Sequence, residues 1–221
     1  MTYLVKEAFT TLQGEGARTG RAAVFCRFTG CNLWSGREAQ RADAVCRFCD
    51  TDFVGTDGPG GGHFAGAHEL ATHLRTLWDA SIVDGSGARP YVVCTGGEPL
   101  LQLDDDLCAA LHHAGFEVAI ETNGTLPVPD GVDWVCVSPK ADAPLVLTRA
   151  DELKLVHPQP GAPPERYEAL ADDGRLTVGA WFLQPMDGPD RAAATAATVE
   201  HCRTHPRWRL SLQTHKLLGI P

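Results

Sequence analysis

The chain has 221 residues, 43% of them hydrophobic, and its 28 acidic against 19 basic side chains leave a net charge of −9. A single domain of this size buries roughly 70–75% of the surface its unfolded chain exposes, so its core needs no disulfides. An acidic balance with scattered Lys and Arg argues against nucleic acid as a partner, and no apolar run reaches the length of a membrane span. The N-terminal residues show no signal-peptide core, and eight cysteines without an export signal point to a reducing cytoplasm. There, clustered thiols bind metal more often than they pair.

In chain order, hydrophobic runs predict strands at Ala22–Phe28, Pro90–Thr95, Phe116–Glu121, Trp134–Ser138, Leu153–His157 and Leu176–Leu183, with a last one near Arg209–Gln213. Helical spacing falls between them. Leu70, Leu74 and Leu77 share one face; Leu103, Leu107 and Leu111 share another, opened by Asp104–Asp106 and closed by Gly115. The Ala-rich Asp187–Cys202 is a third helix, and Thr56–Gly66, with five glycines and a proline, reads as a mobile loop. This alternation predicts an α/β fold: one domain over residues 1–221 with a mostly parallel sheet, open or rolled into a partial barrel. The chain is short for a closed eight-stranded barrel.

In such folds reactive groups gather at the carboxyl ends of the strands. The predicted strands end in Thr29-Gly30-Cys31, Thr95-Gly96-Gly97-Glu98-Pro99, Glu121-Thr122-Asn123-Gly124, Ser138-Pro139-Lys140 and Gln184-Pro185, so polar and glycine-rich clusters fall on one side of the sheet. Cys31, Cys46 and Cys49 are spaced C-x14-C-x2-C. Three thiolates are an incomplete set for a tetrahedral metal or a cubane cluster: either a fourth ligand comes from elsewhere, or one iron is left open. Cys26 would complete a four-thiolate zinc knuckle. In an extended Ala22–Phe28, however, it faces away from Phe25 and Arg27. Cys94, Cys108, Cys136 and Cys202 sit in apolar patterns and read as packed core thiols.

The three cysteines with Phe48 before the last, followed by Gly96-Gly97-Glu98-Pro99, Glu121-Thr122-Asn123-Gly124 and Ser138-Pro139-Lys140, resemble the radical S-adenosylmethionine (SAM) enzymes. The chain departs from the usual C-x3-C-x2-C by inserting residues 32–45, whose path the sequence leaves open. More narrowly, Leu12-Gln13-Gly14-Glu15-Gly16, Arg27, Cys49-Asp50-Thr51 and Gln213-Thr214-His215-Lys216 resemble the 7-carboxy-7-deazaguanine synthase (QueE) family, from residue 3 to the C-terminus. Expanded cysteine spacings are known in that family.

The resemblance implies a homodimer of incomplete parallel β/α barrels of the radical SAM type. Cys31, Cys46 and Cys49 would hold a [4Fe-4S] cluster whose fourth iron chelates SAM. Reduction, with flavodoxin or ferredoxin as donor, would cleave SAM to a 5′-deoxyadenosyl radical that takes hydrogen from C6 of 6-carboxy-5,6,7,8-tetrahydropterin. Ring contraction and loss of ammonia then give 7-carboxy-7-deazaguanine for queuosine or another deazapurine, and SAM is re-formed. SAM contacts would come from Gly96, Gly97, Glu98, Glu121, Asn123, Ser138, Pro139, Lys140 and Gln184. The pterin would meet Leu12, Gln13, Gly14, Glu15, Arg27, Thr95, His215 and the α-carboxylate of Pro221. Thr51, rather than the charged Asp50, would ligate Mg2+, with Asp50 capping or orienting its loop. No side chain is singled out as a catalytic acid or base. Two other readings stay open: another radical SAM enzyme such as a glycyl-radical activase, and a zinc-stabilised binding protein using Cys26.

Overall fold

The computed structural model describes residues 1–83 and 86–221. Among these, nine strands form one open sheet: β1 (Tyr3–Leu12), β2 (Ala22–Phe28), β3 (Gly62–Phe64), β4 (Tyr91–Gly96), β5 (Glu117–Thr122), β6 (Trp134–Val137), β7 (Arg149–His157), β8 (Thr177–Pro185) and β9 (Arg209–Leu210). Their order is β3-β1-β2-β4-β5-β6-β7-β8-β9. From β2 to β9 every pairing is parallel, whereas β1 runs antiparallel to both β2 and β3. Five helices complete the layer: α1 (Ala67–Ser81), α2 (Asp105–His113), α3 (Pro164–Asp172), α4 (Arg191–Thr204) and α5 (Thr214–Leu218).

Side-chain alternation along the strands separates core from concave face. In β2, Val24, Cys26 and Phe28 enter the core beneath α1 and α2, while Phe25 and Arg27 face the cavity described below. The register carries this across the sheet. Cys26 pairs with Cys94, which pairs with Ile120, all within the core; Arg27 pairs with Thr95 on the concave side. A second core, containing Leu153, Leu155, Tyr167, Leu183 and Trp208, lies under α3 and α4. Capping follows ordinary chemistry. The Asp104 carboxylate accepts from Leu107 N at 2.9 Å at the start of α2, where Asp105 and Asp106 meet the helix dipole.

The elements depart from the sequence reading in several places, the unanticipated α5 among them. β1 is absent from that reading because Lys6 and Glu7 interrupt its apolar pattern. Thr56–Gly66 is not a loose loop, since it contains β3 and lies against β1. Gly58 N donates to the Lys6 carbonyl at 2.9 Å and Ala8 N to the Pro59 carbonyl at 2.8 Å. A Cβ at Gly60 or Gly61 would collide with the carbonyls of Ala8 or Lys6, so here glycine permits strand contact instead of mobility. Helix α3 was not anticipated. The last strand shrinks to Arg209–Leu210; Ser211 N still donates to the Leu183 carbonyl, while its hydroxyl accepts from Gly16 N and donates to Gln184 Oε1.

At the end of β4, Gly97 packs on the cysteine segment. Glu98 N donates to the Gly30 carbonyl at 2.9 Å, and a Cβ at position 97 would overlap that same carbonyl. We therefore expect Gly97→Ala to lower stability by about 1–3 kcal/mol. Gly66→Ala, where an added Cβ meets nothing within 4 Å, should be near neutral; urea unfolding compares the two.

Candidate active site

The carboxyl ends of the strands enclose a cavity of about 390 Å³. Cys31, Cys46 and Cys49 line it together. Cys26 does not: it is fully buried in the core, where desolvation pushes its thiol pKa up. The insertion between Cys31 and Cys46 closes on itself, with Val45 N and Cys46 N both donating to the Leu33 carbonyl, at 3.1 and 3.3 Å. Its own small core is Trp34 edge-on to Phe53 at 5.5 Å, with Ala44 and the two outer thiols packed alongside. Arg41 stacks over Trp34 and donates from Nη1 to the carbonyls of Arg47 and Cys49, each at 3.0 Å. Two thiols distant in sequence are thereby held beside the third.

Cys46 and Cys49 are hydrogen-bonded to each other and sit near a cation. A bond from Cys46 pulls the Cys49 thiol down to about 6, while the same bond and burial push Cys46 up. Lys140 lies half-buried beside them, and its Nζ donates to the Ser138 carbonyl and, at 2.8 Å, to Ser138 Oγ, with no carboxylate partner among the described residues. Burial lowers its pKa, while Cys46 and Cys49 oppose that shift. An ammonium beside Cys46 and Cys49 favours their thiolate forms, which are the metal-binding forms. Trp34 Nε1, buried in the same wall, has no hydrogen-bond partner among the described residues. Three sulfur donors, a nearby cation and an unused N–H donor fit an iron–sulfur cluster with one open iron better than a closed zinc site.

Opposite the thiols lies a carboxylate–lysine network. Lys154 Nζ is 2.5 Å from both Glu15 Oε2 and Glu121 Oε2, and Lys154 is only 3% exposed. Gln213 Nε2 donates to Glu15 Oε1 at 3.0 Å and Gln13 Nε2 to Glu121 Oε1 at 3.1 Å. Burial opposes ionisation of Glu15, but Lys154 and Gln213 outweigh it and hold Glu15 below the usual range. Burial dominates at Glu121, with the Glu15 charge adding to it, so its pKa rises. Of two acids on one ammonium, Glu121 is the one that more readily keeps a proton.

Leu12-Gln13-Gly14-Glu15-Gly16 is more than a hairpin turn. Gly16 has φ +67° and packs on the Glu152 carboxylate, which accepts from Ala17 N at 2.6 Å. A side chain at Gly14 would strike the His215 ring, and the Gly14 carbonyl accepts from both Thr214 N and Thr214 Oγ1 at 2.9 Å. The turn thus wedges between the concave face and the segment leading into α5. Thr11 Oγ1 donates to the Pro221 main-chain oxygen at 2.7 Å, and Lys216 bridges Asp50 and Asp187, each at 2.6 Å. Asp50 therefore orients its loop towards the C-terminal segment. Arg27 pairs through Nε with Glu7 Oε1 at 2.7 Å and lines the cavity, with no hydrogen bond from either Nη among the described residues.

Of the anticipated site residues, Leu12, Gln13, Gly14, Glu15, Arg27, Thr51, Thr95, Gly96, Gly97, Glu121, Asn123, Ser138, Lys140, Gln184, His215 and Pro221 all line this cavity with the three cysteines. Glu98 and Pro139 do not. Glu98 is fully buried and accepts from Leu100 N at 3.0 Å and from Thr122 Oγ1 and Asn123 N at 2.8 Å, bracing the ends of β4 and β5 from behind. The Pro139 carbonyl accepts from Gln159 instead. Sequence reasoning missed Lys154, Gln213 and Glu7. The available signal for Lys154 was one charge inside the apolar run Leu153–Val156, and for Gln213 its place in the Gln213-Thr214-His215-Lys216 motif; nothing in the sequence singled out Glu7.

An open parallel sheet of this order, with three thiols and a polar cavity at its carboxyl ends, defines a radical SAM-type α/β enzyme fold. The crystal structure of QueE from Escherichia coli superposes with a TM-score of 0.67 at 30% identity, covering 96% of this chain and 94% of that one. The 7-carboxy-7-deazaguanine synthases of Caulobacter vibrioides and Bordetella pertussis are each 62% identical over 221 residues, the full length of both chains, and that of Bacteroides thetaiotaomicron is 41% identical over 98% of this chain and 97% of its own. No protein-family model matches. The chain belongs to the 7-carboxy-7-deazaguanine synthase family. No helix among the described residues is long and apolar enough to cross a membrane.

Removing the cation tests the network. Lys154→Met leaves two carboxylates crowded without a counter-charge and should cost about 3 kcal/mol or more in urea unfolding. Adding Glu121→Gln to that variant should recover part of the loss, since one of the crowded charges goes with it.

Proposed function

We propose that the protein converts 6-carboxy-5,6,7,8-tetrahydropterin to 7-carboxy-7-deazaguanine with loss of ammonia, as a lyase in queuosine or deazapurine synthesis, using a [4Fe-4S] cluster, SAM and Mg2+. The observation that carries this reading is the meeting of Cys31, Cys46 and Cys49 in one cavity while Cys26 is committed to the core. When bound there, a cluster with an open iron supplies one-electron chemistry to the SAM sulfonium. The remaining steps fall to the chain's own residues.

Lys140 offsets the negative charge of the thiolates, and the Trp34 wall keeps water from them. Arg27 can present its Nη pair to the substrate carboxylate, a geometry a lysine cannot reproduce. Both main-chain groups of Gln13 and the Gly14 carbonyl are bonded within the protein, so the backbone donor this turn can offer the pterin amide edge is the Gly14 N–H. Glu15, held ionised by Lys154, can accept from the pterin's amino group. Glu121 and Asn123, both lining the cavity, would supply acceptors to the SAM ribose, and Thr51 would offer a hard oxygen for Mg2+, whose remaining positions water and substrate oxygens would fill. His215, its pKa lowered by burial, is suited to a neutral hydrogen bond at pH 7. A homodimer, with flavodoxin or ferredoxin as reductant, completes the proposal.

Anaerobic reconstitution with SAM, a reductant and the carboxypterin tests it. Cys31→Ala, Cys46→Ala and Cys49→Ala should each lose the brown chromophore and turnover, whereas Cys26→Ala should keep both at a stability cost of about 1 kcal/mol. A colourless zinc protein whose metal is lost in Cys26→Ala would overturn the assignment. Arg27→Lys should raise KM for the pterin by about tenfold or more, with little change for SAM; equal shifts in both would place Arg27 elsewhere in the mechanism.

A further inference from the structure

A second cluster of ligating side chains lies away from the cavity, where α3 and α4 cover the second core. Glu165 stands in the first turn of α3, His201 in the last turn of α4, and His205 immediately beyond α4. One ligand atom from each lies within 4.8 Å of the other two. The two histidines are four residues apart, so a helical turn puts them on the same side. Their rings are parallel to within 10°, with centroids 4.1 Å apart.

The hydrogen bonds of the histidines make the pattern more specific than proximity. His205 Nδ1 lies 3.2 Å from the His201 carbonyl and 2.9 Å from Thr204 Oγ1. In the tautomer whose Nδ1–H donates to that carbonyl, with the Thr204 hydroxyl beside it, Nε2 keeps its lone pair. An imidazole N–H tied to a backbone carbonyl is the outer bond that fixes a metal-ligating histidine in the right tautomer and orientation. His201 Nε2 is buried with no hydrogen-bond partner among the described residues. Leaving a buried ring nitrogen unpaired is unfavourable unless something else satisfies it. Glu165 is exposed, so its carboxylate can swing inward.

We propose that Glu165, His201 and His205 form a binding site for one divalent transition-metal ion, zinc by its donor set, that ties the start of α3 to the end of α4. Two imidazole nitrogens and one carboxylate oxygen are a recurrent three-ligand zinc set, with water in the fourth position. Tetrahedral bonds of about 2.0–2.2 Å require donor atoms about 3.3 Å apart. The present separations, all within 4.8 Å, close to that value by a rotamer change at Glu165 and a small ring tilt. The ion would clip two helices that both cover the core holding Tyr167, against which Cys202 packs. The site owes nothing to the cysteine cluster and does not depend on the proposed reaction.

Zinc chloride added anaerobically to the full-length, cluster-loaded and chelator-washed protein tests this, read by X-ray absorption at the zinc edge and by thermal unfolding. The expected result is one bound equivalent with only nitrogen and oxygen neighbours, and a higher Tm. His205→Gln and Glu165→Gln, both at exposed positions, should bind that equivalent at least about tenfold more weakly, with metal-free Tm values unchanged and no zinc-induced rise. Zinc with sulfur neighbours that persists in both variants would belong to the thiols and would overturn the site. So would retention of no zinc, or of nitrogen- and oxygen-bound zinc with equal affinity in native protein and both variants. Because the sulfur signal reports the cysteines separately, failure of this site and failure of the cluster assignment are distinguishable.

Discussion

The arrangement of the cavity depends on one buried ammonium. Lys154 projects from β7 into a space almost closed to water and is held there by Glu15 from the N-terminal turn and Glu121 from β5. Desolvating an ammonium costs several kcal/mol, and only close anionic partners offset it. The partners therefore cannot drift. Glu15 carries with it the turn that wedges against Glu152 and His215, and through Gln213 it reaches the segment entering α5. Three parts of the chain far apart in sequence are thus fixed by a single charge whose exposure without partners would be costly.

Glycine acts at the second fixed point. The cysteine segment lies so close to the end of β4 that position 97 has no room for a Cβ, and Glu98 N bonds directly to Gly30. Glu98 then turns inward to brace β4 against β5 through Thr122 and Asn123. The Gly-Gly-Glu-Pro segment accordingly sets a backbone distance between strand ends and thiols. Its glutamate side chain works behind the cavity wall, bonded to Leu100, Thr122 and Asn123.

Much of this was legible before the structure. Alternation in Ala22–Phe28 put Cys26 on the face opposite Phe25 and Arg27, and the fold obeys it, with Cys26 on the core side, because a strand buried on one face cannot reverse its parity without exposing Val24 and Phe28. The parallel strands of the sheet also follow from their apolar runs. What escaped was decided by long-range contacts. β1 carries charges that are satisfied only when Lys6 meets Asp52 and Asp57 and Glu7 meets Arg27. The glycine-rich Thr56–Gly66 has the composition of a flexible linker, and only the proximity of β1 turns it into paired backbone. Lys154 was invisible for a related reason: its charge makes sense only beside acids from β5 and the first turn.

The loop joining the first two thiols closes at its neck, where the Leu33 carbonyl receives both Val45 N and Cys46 N. Sulfur-to-sulfur placement is therefore set at the base of that loop, and the residues beyond it lie outside the constraint. Since the entropic cost of closing a loop grows only with the logarithm of its length, segments of quite different size can be exchanged above such a neck without moving the donors. Cysteine spacing counted along the chain is then a poor ruler for this kind of centre; the backbone atoms at the neck are a better one.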